Sequence, residues 1–309
     1  MSSVSPRQLP SHLSGIEDLR AFAGIRLLAL DLDGTLFGAF DHRPGVRLER
    51  LEHSFRLHHT ITTIATGRTL YGVRSVLDAL PSLRKIPIIL YNGSLVVIPE
   101  GPLVLRHVTI SNEAARSVAE AVLNAGAEAF FYYFDREPSL LDGNSWPESV
   151  LAVGAKATEK VDINGLAVQH VTLRDFPGGC PIAILVRGND RNLREVLHSI
   201  YGVDVTASGD RYIELRPRGS NKAGGLEIVA KHLRVPQEQI LALGDNDNDA
   251  EMLEWAGIGV AISGATEKAR QASRFVAKHG LVQGAFQLLT LVKNAKRLYR
   301  GEATRAKHI

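Results

Sequence analysis

The sequence has little of what marks a secreted, membrane-spanning or redox-active chain. Its 309 residues hold one cysteine, Cys180, so no internal disulfide can form. Beside Pro181, Ile182 and Ala183, that thiol is expected in a buried strand rather than as a nucleophile. No run approaches the roughly 20 apolar residues that span a bilayer, and the first residues mix Ser, Pro and Arg7 without an apolar signal core. A soluble, cytoplasmic protein with no membrane partner is therefore expected. There is no repeat of solenoid period and no low-complexity tract. The 11 histidines, including His58 and His59 side by side, show no metal-ligand spacing.

Excess charge of one sign is local. The net charge is +3, yet residues 293–309 carry Lys293, Lys296, Arg297, Arg300, Arg305 and Lys307 against Glu302; this segment's +5 leaves −2 for the rest. A basic C-terminal stretch reads as a solvated helix end or an extension, so no nucleic-acid partner is expected.

What is present is enough apolar sequence, 45% of residues against 22% charged, for one large core or two smaller ones. Two domains are expected. Ile25 to Leu30 is a nearly continuous apolar run ending in Asp31-Leu32-Asp33-Gly34-Thr35, which suits a strand buried on both faces with a polar turn at its carboxyl end. The rhythm repeats through a helical pattern at 46–58, an apolar run at 61–65 ending in Thr66-Gly67-Arg68, a helical pattern at 70–80, and a run at 86–91 ending in Asn92-Gly93. After Lys222 it resumes: helix 223–233, strand 240–243 ending in Gly244-Asp245, helix 249–255, strand 258–262. Strands alternating with helices predict a parallel α/β sheet shared by both flanks. The interval between them holds separate strand patterns at 95–98, 103–109, 129–134, 168–172, 182–186 and 212–215, with helices at 112–123 and 192–199, and reads as an inserted α+β domain. The expected division is 1–95 with 217–309 for the parallel-sheet core and 96–216 for the insertion.

In open parallel sheets ligands bind beyond the carboxyl ends of the strands, and the polar clusters fall there. Asp31 and Asp33 end one strand, Thr66 another and Asp245 to Asp249 a third. Neighbouring strand tips lie close, so carboxylates distant in sequence can share one hard cation. Magnesium, which takes oxygen ligands and keeps several waters, fits this set. Asp31-Leu32-Asp33-Gly34 alone also fits an Asx-rich turn, and Lys222 alone fits a surface lysine.

Taken together, Leu30-Asp31-Leu32-Asp33-Gly34-Thr35-Leu36, Thr66-Gly67-Arg68, Lys222 and Gly244-Asp245-Asn246-Asp247-Asn248-Asp249, extended by Met252-Leu253, resemble the four ordered motifs of the haloacid dehalogenase (HAD) superfamily. The likeness is to its Cof-type phosphatases, whose C2-type cap lies between the second and third motifs. Only about 33 residues separate Asp33 from Thr66, too few for a further cap, whereas the Thr66 to Lys222 interval has room. The resemblance covers about residues 25–289 and implies a Rossmann-like core with an inserted cap.

It also implies roles. Asp31 would attack phosphorus and form an aspartyl-phosphate. Asp33 would protonate the leaving oxygen and then activate water. Mg2+ would be held by Asp31, the backbone carbonyl of Asp33 and Asp245. Thr66, Gly67, Lys222 and Asn248 would contact phosphate, and Asp249 would orient Lys222 or a metal-bound water. Arg68 is expected either to reach a second anionic group or to pair with a surface acid. The carboxylate at position 33 points to ester cleavage, since related ion pumps and dehalogenases lack it. Where Cof-type proteins carry Asn in a Gly-Asn-Ala segment, this chain has Ser263-Gly264-Ala265, so that contact is not expected here. Cap candidates for reading the leaving group are Arg136, Asp142, Asn144 and Trp146. The expected activity is hydrolysis of a small phosphorylated metabolite, a sugar phosphate or a phosphorylated cofactor. A sugar phosphomutase and a phosphosugar-binding regulator without turnover are the alternatives.

Overall fold

The computed structural model describes residues 6–9, 16–37, 60–101, 103–135, 148–154, 165–188, 190–208 and 211–305. The helix expected at 46–58, the His58-His59 pair and the cap candidates Arg136, Asp142, Asn144 and Trp146 lie outside them.

The short apolar runs of the two flanks form one parallel sheet. Its strands are β1 (Arg7–Gln8), β2 (Leu27–Leu30), β3 (Ile61–Ile64), β13 (Ile240–Gly244), β14 (Ile258–Ala261) and β15 (Phe275–Val276), in the order β1-β15-β14-β13-β2-β3. β2 and β13 lie at its centre, with Leu27 opposite Ile240 and Leu30 opposite Leu243. Alternate side chains serve opposite faces: Leu28, Leu30, Leu241 and Leu243 enter one apolar cluster, while Leu27, Ala29, Ile240 and Ala242 enter another. That two-sided burial is why these strands read as unbroken apolar runs rather than alternating ones. Each fully buried leucine contributes roughly 1.5–3 kcal/mol to holding the strand in register. The second cluster is covered by α5 (Lys222–Leu233) and α6 (Ala250–Trp255), through Leu226, Val229, Met252 and Leu253.

A three-stranded antiparallel sheet follows β3: β4 (Ile88–Leu90), β5 (Leu95–Ile98) and β6 (Leu103–His107). β4 is tied to the parallel sheet by a bridge from Ile89 to Ala65. The strands at β5 and β6, grouped with the insertion on sequence, therefore pair with β4 and extend the core side.

The inserted region carries its own sheet, in the order β11-β12-β10-β7-β8-β9, from β7 (Glu128–Phe134), β8 (Glu148–Gly154), β9 (Val168–Val171), β10 (Ala183–Arg187), β11 (Val203–Ser208) and β12 (Tyr212–Pro217). All of its pairings are antiparallel except β8 with β9. One face packs on α3 (Asn112–Asn124) and α4 (Arg191–Ser199) through Phe131, Ile184, Ile213 and Leu215. The other face, with Phe130, Tyr132, Phe134 and Leu185, joins the apolar cluster of the parallel sheet. This gives the expected α/β class: a parallel-sheet core with an inserted α+β region.

Cys180 departs from expectation, being exposed. It precedes β10 directly after Gly178 and Gly179, which both adopt left-handed backbone, and continuous burial starts at Pro181 and Ile182.

Candidate active site

The central strands end together and deliver their carboxylates to one place. Asp31 follows β2 directly, its N–H donating to the carbonyl of Leu243 in β13 at 3.0 Å. Asp245 follows β13, and Asp249 closes the short helical turn Asp247–Asp249 after it. Carboxylate oxygens of Asp31, Asp245 and Asp249 lie within 4.8 Å of one another. Gly34 makes this approach possible: it holds φ +86°, and a Cβ there would stand 2.2 Å from Oδ2 of Asp245. The next residue, Thr35, donates from its hydroxyl to Oδ1 of Asp245 at 2.8 Å.

Lys222 enters this cluster from α5, whose first turn is capped by the Asn221 side chain accepting from the N–H of Gly224. Its ammonium donates to Oδ1 of Asp31 and Oδ1 of Asp249, both at 2.6 Å, and the side chain is 1% exposed. The other oxygen of Asp249 accepts the N–H groups of Asp245 and Asn246 at 3.0 Å each. Asp249 is thus fully engaged in aiming Lys222 and fixing the turn. Asp31 is not: its Oδ2 is buried with no hydrogen-bond partner.

The electrostatics follow from this crowding. Burial pushes the Asp31 carboxyl well above the usual carboxylate range, and the charge of Asp249 adds to it, against the opposing pull of Lys222. Asp245 is raised too, first by burial, with the Thr35 hydroxyl working in the other direction. For Lys222 burial favours the neutral amine, but Asp249 and Asp31 outweigh it and keep the ammonium charged, raised above its ordinary value. Three carboxylates around one lysine leave a surplus of negative charge. That surplus, together with the unpartnered oxygen of Asp31, fits a hard divalent cation.

Asp33 stands at the mouth, its side chain 43% exposed, and is held by Arg68 through Nε at 2.9 Å and Nη2 at 2.5 Å. This forked pair joins Arg68 to the candidate acid–base Asp33 itself, and the Arg68 guanidinium also lies 5.3 Å from the Phe37 ring centroid. Thr66 is buried, its Oγ1 accepting the N–H of Arg68 at 3.1 Å, while Gly67 beside it is exposed. The Asn248 amide nitrogen donates to Oδ1 of Asn92 at 3.1 Å. The structure therefore gathers Asp31, Lys222, Asp245 and Asp249 into one contact network, sets Asp33 and Arg68 together at its rim, and joins Asn248 to a residue outside the four motifs.

Two cap residues reach the same rim without having been anticipated. Glu148 at the start of β8 accepts the N–H groups of Leu70 and Tyr71 at 2.7 Å each and the Tyr91 hydroxyl at 2.6 Å. Glu214 of β12 accepts the amide of Asn92 at 2.6 Å. Nothing in their local sequence separates them from ordinary strand carboxylates. Asn92 did leave a signal, since Asn-Gly at a strand end marks a left-handed turn.

A family model described as haloacid dehalogenase-like hydrolase matches residues 28–289. The chain belongs to this family, as an enzyme of its Cof-type phosphatase branch. Over 272 residues it is 26% identical to the 5-amino-6-(5-phospho-D-ribitylamino)uracil phosphatase YwtE of Bacillus subtilis (strain 168), covering 82% of this chain and 93% of that protein. It is 30% identical over 264 residues to the phosphoglycolate phosphatase of Natronomonas pharaonis, covering 85% and 95%. An HMP-PP phosphatase of Enterobacter sp. (strain 638) is 32% identical over 249 residues, covering 78% and 85%. Among solved structures, a sugar phosphatase of HAD subclass IIB superposes with a TM-score of 0.67 at 19% identity over 90% of this chain and 99% of that one. A protein from Thermotoga maritima superposes at 0.65 with 22% identity over 88% and 97%. These two bear on the fold alone. No helix among the described residues is long and apolar enough to cross a membrane.

Proposed function

We propose that the chain hydrolyses a small phosphomonoester with Mg2+ through a phosphorylated Asp31. The observation that carries this reading is the unpartnered, buried Oδ2 of Asp31 beside Asp245, with the other oxygen of Asp31 held by Lys222. One oxygen is fixed while the other is free to act, which suits a nucleophile.

Asp31 and Asp245, with the backbone carbonyl of Asp33, would hold the ion, whose charge draws together an anionic nucleophile and an anionic phosphate. Gly67 and Thr66 receive phosphate oxygens at the end of β3, and Asn248 and Lys222 supply donors from the other side. An oxygen of Asp31 forms the bond to phosphorus as the ester oxygen departs, taking a proton from Asp33. Water then attacks the aspartyl-phosphate, Asp33 accepts its proton, and inorganic phosphate leaves with Asp31 restored. For this Asp33 must exchange its forked bond to Arg68 for the leaving oxygen, and its partial exposure allows the exchange. Asp249 holds Lys222 throughout.

We take the cap as the antiparallel sheet β7 to β12 with its two helices, and the core as the flanks that run through β6 and resume after β12, a later start for the cap than the 96–216 division expected on sequence, with the cap excluding water and contacting the leaving group. The relatives named above act on a ribitylamino-uracil phosphate, on HMP-PP and on phosphoglycolate. A small phosphorylated metabolite is accordingly the proposed substrate class. The test is release of inorganic phosphate from a panel of sugar phosphates, nucleotides and vitamin phosphates, with and without Mg2+, ranked by kcat/KM. Turnover that requires Mg2+ and is lost in Asp31→Asn is expected; equal rates in that variant would remove the nucleophile.

A further inference from the structure

We infer that Asn92, together with Glu214 of the cap, is a positioning pair that sets Asn248 in the phosphate pocket only when the cap is docked. This rests on the proposed phosphatase reading, in which Asn248 contacts phosphate, and extends it to residues outside the four motifs.

Asn92 occupies an unusual place. Its backbone is left-handed, φ 50° and ψ 35°, between Tyr91 at φ 48° and Gly93 at φ 96°. Three successive residues of this kind make a sharp corner at the tip of β4, and non-glycine residues rarely enter that region; Asn is among the few that do. The corner is wedged among the motifs. The N–H of Asn92 donates to the carbonyl of Thr66 at 3.0 Å. A Cβ on Gly67 would stand 3.0 Å from the Asn92 amide nitrogen. A Cβ on Gly93 would stand 1.9 Å from the carbonyl of Asn221, the residue that caps the helix carrying Lys222. The corner therefore touches the loops that carry Thr66 and Lys222 at once.

Its side chain, on a residue 1% exposed, reaches both remaining parts. Oδ1 accepts from the amide nitrogen of Asn248 at 3.1 Å, and Nδ2 donates to Glu214 at 2.6 Å. An amide has one face of acceptor and one of donor, so the charge on Glu214 dictates which way the Asn92 amide points. With Glu214 accepting from Nδ2, Oδ1 must face Asn248 and accepts one of the two N–H groups of the Asn248 amide, which fixes that amide with its second N–H left for phosphate. If the cap lifts, Glu214 leaves and the amide of Asn92 loses the partner that fixes its orientation. Cap docking is thereby converted into the orientation of a phosphate-site side chain, with no contact between Glu214 and substrate required.

Glycine at position 92 keeps the corner, because it adopts left-handed backbone freely, and removes only the amide. In steady-state hydrolysis of para-nitrophenyl phosphate with Mg2+, N92G and E214A are each expected to lower kcat about tenfold or more while KM changes about twofold or less. In an N248A background, N92G is expected to add nothing further. As a readout independent of turnover, the side-chain amide resonances of Asn248 are expected to shift in E214A and to be unmoved by E214A once Asn92 is glycine. Unchanged kcat in N92G, a full second loss in the N248A background, or a rise in KM alone for E214A would overturn the pair; the last would make Glu214 a substrate contact. A wild-type chain with no phosphatase activity would overturn the functional reading instead, and the Asn248 resonances would still decide whether the relay exists.

Discussion

Lys222→Met is the perturbation whose consequences follow most directly from the geometry. The ammonium is 1% exposed and carries two bonds of 2.6 Å to Asp31 and Asp249, so its loss leaves two buried carboxylates without their counter-charge. Removing one partner from a buried ionic group of this kind costs about 3–5 kcal/mol. At about 2–4 °C per kcal/mol for a chain of this class, the melting temperature should fall by roughly 6–20 °C. The deficit has a pH signature. Asp31 already has its folded pKa raised above the unfolded value, so the native state binds more protons than the unfolded one. Stability from this site therefore falls as pH rises from the ordinary carboxylate range through the raised value. Without Lys222 that raised value moves higher still, so the variant's deficit should be largest at neutral to alkaline pH and shrink on acidification, as the Asp31 carboxyl takes up its proton. The assay is thermal unfolding of wild type and variant from acid to alkaline pH in metal-free buffer. A variant as stable as wild type at alkaline pH, or a deficit that grows on acidification, would refute the assignment of Lys222 as the counter-charge.

Mg2+ should raise the melting temperature of the wild type, and less so as pH falls, because protons on Asp31 and Asp245 compete with the ion; a pH-independent shift, read by the same unfolding assay, would place the ion elsewhere. Gly34→Ala should abolish Mg2+-dependent turnover and cost about 1–3 kcal/mol of stability, since the residue sits at φ +86° and its new Cβ would strike the Asp245 carboxylate; a variant that retains wild-type kcat/KM would show that Asp245 can move without consequence.

The core was readable because its strands are buried on both faces. Leu27 to Leu30 and Ile240 to Gly244 have no polar residue to blur the pattern, and polar clusters mark where each ends. The elements that escaped reading are those whose context is tertiary. β8 opens with Glu148 and Ser149, polar residues whose place in a strand is fixed by pairing with Phe134 and Tyr133. β11, Val203 to Ser208, carries Asp204, Thr206 and Ser208 at alternate positions and takes its register from β12. β4, β5 and β6 were all legible as strands, but not their pairing with one another, which sets β5 and β6 beside the core. In the site, Asp31, Lys222, Asp245 and Asp249 could be named from the strand ends and motif order. Which oxygen bonds which nitrogen could not, because it depends on distances across 27 and 191 residues of sequence. Cys180 was misjudged for a related reason: apolar neighbours signalled burial, while the residue, directly after two glycines of left-handed backbone, is exposed.

The measurement that bears most directly on the account is acid-quenched peptide mapping of the enzyme mixed with Mg2+ and its best substrate. A phosphoryl group on the peptide containing Asp31, absent from Asp31→Asn and released by hydroxylamine, is the expected result. Substrate turnover with unlabelled Asp31 and the phosphoryl group on another residue, or with activity intact in Asp31→Asn, would contradict it.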